Sequence, residues 1–565
     1  TVGPEGSGGQ PGRLEEALGG HHRKVSRTSR VQGVSEPSLV VGVAILSACL
    51  LVFVLAPLAA TLAFPNVGSW GVTLRSGRFA KAALHSLLMT ILSTATATLV
   101  GFLFAYTITR TATPLRGLFR AVSVLPLFSP PFMVAFGYVM MVGRNGLITH
   151  GLLGLRVNVF GWHGLWLAQT ISFFPVAAIV MEGALRSLSP NLLHAASNLG
   201  ASGARQLWTI TLPILRPAFA AAGLLVGIQV LADFGNPILI GGNFSVLATE
   251  AWLRVEGWAD VQGAAVLSAE ILLPSLLLFA AQRIWVRGRT VATVTARAGM
   301  DTVPRTSAAG RWLLGIVCGI VSALVLLVYV ALLLGAFVKG WGFDWTPTLA
   351  NFGDITVRGA ELLHSILYAA GAALGSAVVS LGTAFLVSRK RFRLRSAMDL
   401  AALLPAALPG ICFGIGYSIL FSRPPLDLYG TAAIVVLSLL FWNISVGHQT
   451  FVTAFGQISP AFGEAAANLG AGSFRVLREI ELPLVSGAFL SAATVSFIRA
   501  VTTLSVVVFL ANAGNGVATV SIMNLVNDGF YGKAAALTVS LLVLSAGALG
   551  LGRLAAGRPV DLFQA

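Results

Sequence analysis

A chain of 565 residues in which 56% are hydrophobic and only 10% charged, with a mean hydropathy of +0.83, is not an ordinary soluble enzyme, whose charged share is about 25%. The formal net charge of +16 would suit a nucleic-acid partner only if the basic residues were gathered on a soluble surface, and here they flank apolar runs. Cys49, Cys318 and Cys412 all fall inside those runs, without metal-ligand spacing or a paired framework, as small apolar fillers do.

Residues 1–37 are Gly-rich and polar, carry five Arg/Lys residues, and read as a disordered cytoplasmic tail. His21-His22 within it reads as a solvated pair. Twelve apolar runs follow, at about 38–64, 83–109, 118–143, 161–183, 212–238, 262–286, 311–337, 361–388, 397–422, 430–455, 483–511 and 531–552. Each reaches the ~20 residues that a helix needs to cross a hydrocarbon core of ~30 Å. None alternates as a barrel strand does, so helices are implied. The first run is too long for a secretory signal core and reads as a retained helix. The polar stretch at 287–310 is the natural linker between a first half at 38–286 and a second at 311–565. The predicted fold is thus an all-α membrane protein with about twelve transmembrane helices in two six-helix halves.

With a cytoplasmic N-terminus, 26 of the 37 Lys and Arg residues fall on the inner side and 10 on the outer, with Arg499 inside a span. That is the positive-inside bias of a multi-pass membrane protein, so lipid rather than nucleic acid is the expected partner of the charge. The densest run, Arg389-Lys390-Arg391-Phe392-Arg393-Leu394-Arg395, would meet anionic headgroups.

Comparing the chain with itself at an offset of 270 residues exposes a tandem duplication. His194-Ala195-Ala196-Ser197-Asn198-Leu199-Gly200-Ala201 matches Glu464-Ala465-Ala466-Ala467-Asn468-Leu469-Gly470-Ala471, and the register holds through Arg205/Arg475 to Pro213/Pro483. Eleven of the 20 positions from 194 to 213 are identical to their counterparts. Six helices intervene, so both cassettes face the cytoplasm and the halves are parallel repeats around a shared pathway. Ser189-Pro190 and Ser459-Pro460 each set a capping hydroxyl before a Pro suited to a first helical turn. The small Ala195-Ala196 and Ala465-Ala466 let another protein approach closely, and Gly200 and Gly470 stand where such a helix turns.

The cassettes resemble the "EAA" loop of binding-protein-dependent ABC importer permeases: E-A-A, a Gly three residues later, then I-x-L-P. The second copy fits through Glu464-Ala465-Ala466, Gly470 and Ile480-Glu481-Leu482-Pro483; the first departs at His194. The resemblance implies the fold of type I importer transmembrane domains in the bacterial inner membrane, and a loop helix that docks on an ATPase through His194, Ala195, Ala196, Gly200, Glu464, Ala465, Ala466 and Gly470. The chain has no G-x-x-x-x-G-K-[ST], so it does not cradle ATP phosphates by that route. It reads as a permease rather than an enzyme. Two separate ATPase subunits carrying ATP and magnesium are implied as partners, with an extracytoplasmic substrate-binding protein.

At the same offset Gln229 corresponds to Arg499 and Asp233 to Thr503, each pair four residues apart on one expected helical face. An ionisable side chain in a span normally faces a partner or a watery pathway. Asp233 and Arg499 are therefore expected partners, either as a gate across the pathway or as a structural pair between packed helices. His85 and His364 recur as Leu-His-Ser at the outer ends of the second and eighth spans, as a metal-handling pair or as helix-end histidines beside headgroups.

Leu231-Ala232-Asp233-Phe234-Gly235-Asn236-Pro237 and the stretch from Asn524 to Ala536 resemble fused permeases of the ferric-iron uptake group. Similar permeases serve thiamine, 2-aminoethylphosphonate and other small organic solutes. No dense carboxylate cage for bare Fe(III) is visible in the spans. An ion-coupled secondary transporter would also have repeats and buried charges, but the two docking cassettes argue against it.

Overall fold

The computed structural model describes residues 36–155, 158–287, 308–357 and 359–556; the expected tail and most of the expected linker lie outside the described residues. Helices dominate because each apolar run must satisfy its own backbone hydrogen bonds. In the first half these are α1 (Pro37–Leu50, running on as one span to Ala63), α2 (Gly77–Arg110), α3 (Phe132–Val142), α4 (Trp162–Ser187), α5 (Pro190–Asn198), α6 (Leu212–Leu231), α7 (Leu247–Trp258) and α8 (Val261–Arg287). The second half repeats them as α9 (Ala308–Ala336), α10 (Gly359–Arg389), α11 (Gly410–Leu420), α12 (Ala432–Gln457), α13 (Ala461–Asn468), α14 (Ser486–Thr502), α15 (Ala518–Asn527) and α16 (Tyr531–Ala556). A small hairpin, β1 (Val338–Gly340) with antiparallel β2 (Asp344–Pro347), follows α9.

Among the described residues ten helices are long and apolar enough to cross a membrane, or up to twelve if each of two bent pairs is one span. The bends are local chemistry. In Arg395–Ala407 with Gly410–Leu420 the axis turns by 112°. Leu408, extended at ψ 130, precedes Pro409 there, as a residue before proline must. Ser473–Leu484 with Ser486–Thr502 turns by 78° beyond Pro483. The third expected run is likewise not one straight helix: Arg116–Val124 and a 3-10 turn at Leu125–Phe128 end at extended Ser129, ahead of Pro130-Pro131 and α3.

The deepest packing within each half joins α2 to α4 and α10 to α12. The first span of each half also packs on the opposite half, α9 in addition to its contact with α16 of its own half. α1 lies against α11 and α9 against α3, at glycines related by a 279-residue shift. A Cβ on Gly416 would lie 2.4 Å from the Pro57 carbonyl oxygen, and one on Gly137 2.5 Å from the Val328 side chain. The absent side chain lets each pair of backbones approach closely, as at small-residue crossings in membranes. Polar contacts reinforce both crossings. The Tyr417 hydroxyl donates to the Phe53 carbonyl at 2.7 Å, the Ser129 and Tyr329 hydroxyls lie 2.7 Å apart, and Trp341 Nε1 donates to the Met140 carbonyl at 2.9 Å. Cys318 and Cys412 are buried and unbridged; the Cys412 thiol also bridges the halves, donating to the Ser268 carbonyl at 3.0 Å.

Candidate functional site: cytosolic loops and intramembrane polar positions

The two loop cassettes fold alike. α5 and α13 end in the same C-terminal motif, in which Gly200 (φ +81) and Gly470 (φ +87) take the left-handed conformation. Gly200 N–H donates to the Ser197 carbonyl at 2.9 Å and Ala201 N–H to that of Ala196 at 2.9 Å; Gly470 and Ala471 repeat both bonds onto Ala467 and Ala466 at 3.0 Å each. These are the paired bonds of a Schellman turn, which glycine makes without a steric penalty. The space beside both glycines is open.

The expected serine caps are not made as drawn. Ser189 makes no side-chain cap bond, although Pro190 holds the first helical position. The Ser459 hydroxyl accepts from Ala461 N–H at 3.3 Å, and Pro460 itself is the N-cap of α13. A hydroxyl that bonds two residues on makes a turn rather than a helix cap.

His194, Ala195, Glu464 and Ala465 are exposed, and Ala196 and Ala466 half-buried. Beside them stand apolar residues at equivalent positions, Leu199 at 88% and Leu469 at 90% exposure, with Leu192 and Phe462 also exposed. The two loops thus present matched apolar knobs next to small residues.

Two arginines hold these loops, Arg110, which sequence reasoning missed, and Arg389, which it assigned to headgroups. Arg110, the last residue of α2, donates to the carbonyls of Leu185 and Leu188, the latter at 3.4 Å. Arg389, the last residue of α10, donates to the carbonyl of Ile458, the counterpart of Leu188 at the 270-residue offset, at 3.2 Å, and pairs with Glu481 at 2.9 Å. Lys390 donates to Ser473 Oγ at 2.8 Å, and the Glu36 carboxylate accepts from Ser473 N–H at 2.9 Å. Arg389 and Lys390 are therefore engaged with the second loop, not free for lipid headgroups; Arg391, Arg393 and Arg395 stay exposed. The available signal was that Thr109-Arg110 and Ser388-Arg389 both close the second span of their half.

The intramembrane positions divide. α6 ends at Leu231 and α14 at Thr502, so Asp233 and Thr503 lie beyond the helices and share no helical face with Gln229 and Arg499. Asp233 and Arg499 form no ion pair. The Asp233 carboxylate, 7% exposed, accepts from Gln169 Nε2 at 3.0 Å, Asn236 Nδ2 at 2.9 Å and Asn236 N–H at 3.3 Å. Gln169 in turn accepts from Ser93 at 2.9 Å. A buried carboxylate is tolerable only when its oxygens are satisfied, and this network pins the broken end of α6 to α4 and α2. Thr503 donates to the Arg499 carbonyl at 2.5 Å and accepts, through its own carbonyl, from Thr519 at 3.0 Å.

Gln229 is half-buried and the Arg499 side chain exposed, although its neighbours Ile498 and Ala500 are buried. Neither side chain has a hydrogen bond or ion pair among the described residues. Glu270 in α8, which sequence reasoning missed, is also half-buried and has no hydrogen bond or ion pair among the described residues.

The two histidines do matching structural work. His85 Nδ1–H donates to the Ser245 carbonyl at 2.9 Å, and the ring stacks on Phe244. His364 Nδ1–H donates to the Gly516 carbonyl at 3.2 Å, and its ring stacks on Tyr368. The neighbouring Ser86 and Ser365 hydroxyls accept at 2.8 Å from Leu247 N–H and Ala518 N–H, at the starts of α7 and α15. The Leu-His-Ser repeat thus ties the loop after each broken helix to α2 and α10. No group of three or more His, Cys, Asp or Glu placed to hold a metal exists among the described residues.

Residues 97–291 and 376–558 each match the family of binding-protein-dependent transport system inner membrane components. The chain belongs to that family. One matched segment falls largely in each half of the fold, and the chain is accordingly a permease of a binding-protein-dependent ABC importer, an inner membrane component of a transport system. The chain is 32% identical to the ferric transport system permease protein of Actinobacillus pleuropneumoniae, over 79% of this chain and 67% of that protein. It is also 32% identical to a putative ferric transport system permease protein of Haemophilus influenzae, over 74% of this chain and 68% of that protein. The molybdenum transport system permease protein of Escherichia coli is 29% identical and matches 35% of this chain, about one half of the duplicated permease, over 90% of its own length.

Proposed function

We propose that this permease carries ferric iron into the cell, driven by two separate ATPase subunits that seat on its two cytosolic loops. Similarity to ferric permeases across both halves, where the molybdenum relative matches only one, is the observation that carries the substrate reading. In this reading α5 and α13 dock through His194, Ala195, Ala196, Gly200, Glu464, Ala465, Ala466 and Gly470, with Leu199 and Leu469 as the apolar anchors. ATP and magnesium reside on the ATPases, and catalysis belongs to them.

A binding protein delivers substrate at the outer face, and ATP binding draws the two loops together. The motion passes through Arg110 and Arg389 into α2 and α10, which pack on α4 and α12, and the pathway between the halves opens outward. Hydrolysis resets it. The N-terminus is cytoplasmic, the orientation that puts 26 of the 37 basic side chains on the inner side. Purification of the tagged permease should bring down two ATPase copies per chain, and vesicles holding the complete system should accumulate radioactive iron only with ATP. Uptake without an ATPase, or an ATPase bound equally well after both loop glycines are replaced, would remove the reading.

A further inference from the structure

The ionisable residue inside the α14 span carries the wrong charge for a bare cation. Arg499 stands between buried Ile498 and Ala500 with its own side chain exposed, and no carboxylate or other hydrogen-bond acceptor engages its guanidinium among the described residues. An unpaired guanidinium inside a membrane protein is costly unless it meets water or a ligand. The offset-equivalent position in the other half, Gln229, is likewise unpaired, neutral and partly accessible. Asp233, the acidic residue that follows Gln229 in the first half, is consumed by Gln169 and Asn236, which leaves Glu270 of α8 as a lone half-buried carboxylate. No group of three or more metal-ligating side chains stands among the described residues. A trivalent cation stripped of its ligands would meet an uncompensated positive charge and no oxygen cage.

We propose that Arg499 is an oxyanion subsite of the transport pathway, and that iron crosses as a complex with a carboxylate- or phosphate-type ligand whose free oxygens the guanidinium receives. Guanidinium is suited to this: its planar donors bind carboxylate and phosphate oxygens in pairs, and it stays charged throughout. Gln229, with an amide that donates and accepts, supplies a neutral contact from the other half. The inference rests on the ferric reading above and refines it by naming the transported species.

The test uses membrane vesicles containing the complete system of permease, ATPase and binding protein. They are loaded with radioactive iron as its citrate complex or as its phosphate complex, with the anion carrying a second label. Anion label should accumulate with iron in fixed proportion. Arg499→Gln should lower uptake at least tenfold, and Arg499→Lys, which keeps the charge and serves as the check on folding, should recover a measurable part of it. Iron accumulating without either anion label, or Arg499→Gln matching the parent protein, would overturn the subsite while leaving the ferric reading intact. Anion label entering without iron would support the subsite and overturn the ferric reading instead. Which of the two labels enters distinguishes a carboxylate from a phosphate source.

Discussion

The loop cassettes and the broken ends of α6 and α14 descend from the same duplication, yet they have diverged in opposite ways. In the loops, backbone and surface agree: both glycines are left-handed, both Schellman turns close, and Leu199 and Leu469 project equally. At the helix breaks only the place of the break agrees: Ala232 after α6 keeps a helical backbone, whereas Thr503 after α14 is extended. One half places a satisfied carboxylate network at its break, while the other leaves an open guanidinium one turn before it. Two like surfaces suit the two copies of one partner proposed for them, whereas a single pathway shared between the halves has no need of matching side chains. In that proposal symmetry survives where the contact is made twice.

The largest effect that would break this comparison comes from the loops. Replacing Gly200 and Gly470 together by Val forces β-branched residues into the left-handed region at about 1–2 kcal/mol each and removes the turn that presents the leucines. ATPase copurification and transport should both be lost, with each single variant retaining part. A Gly470 change combined with Glu464→Ala should leave hydrolysis but abolish its coupling to transport, measured as ATP consumed per substrate moved.

Next comes the link between the second loop and α10. Arg389→Met strands Glu481, whose side chain is 3% exposed, and removing one member of a buried ion pair costs about 3–5 kcal/mol. The thermal midpoint of the purified permease should fall sharply. Adding Glu481→Met should restore most of it, which a merely additive pair of losses would not do.

A smaller effect sharpens the contrast at the helix breaks. Asp233→Asn keeps the shape but weakens a charge-assisted network, at about 1–3 kcal/mol. Exchanging the charges, with Asp233→Arg and Arg499→Asp in one chain, should rescue neither assembly nor transport beyond the single variants. A clear rescue would show that the two side chains meet in another state of the cycle. The smallest effects belong to Ser86→Ala and Ser365→Ala, about 1 kcal/mol each and equal within error, since each removes one acceptor at the start of α7 or α15. Unequal losses would mean that the halves differ at this tie as well.

Much was legible in the sequence because lipid imposes it. Hydropathy counted the spans, and the 270-residue repeat located both cassettes and the glycines that end α5 and α13. These are properties of a chain in hydrocarbon and of a left-handed turn, and both are written locally. Three features were not local. That α1 and α9 each pack across the duplication depends on Gly416 and Gly137 meeting Pro57 and Val328, contacts between segments far apart in the chain. Arg389 read as one more basic residue beside a membrane until folding brought Glu481 and Ile458 to it. Asp233 and Arg499 looked like partners because opposite charges in a span suggest pairing. The helix ends at Leu231, however, turns Asp233 toward Gln169 and Asn236 and leaves Arg499 facing open space, and a choice among polar partners is made only when the chain has brought them within hydrogen-bonding reach.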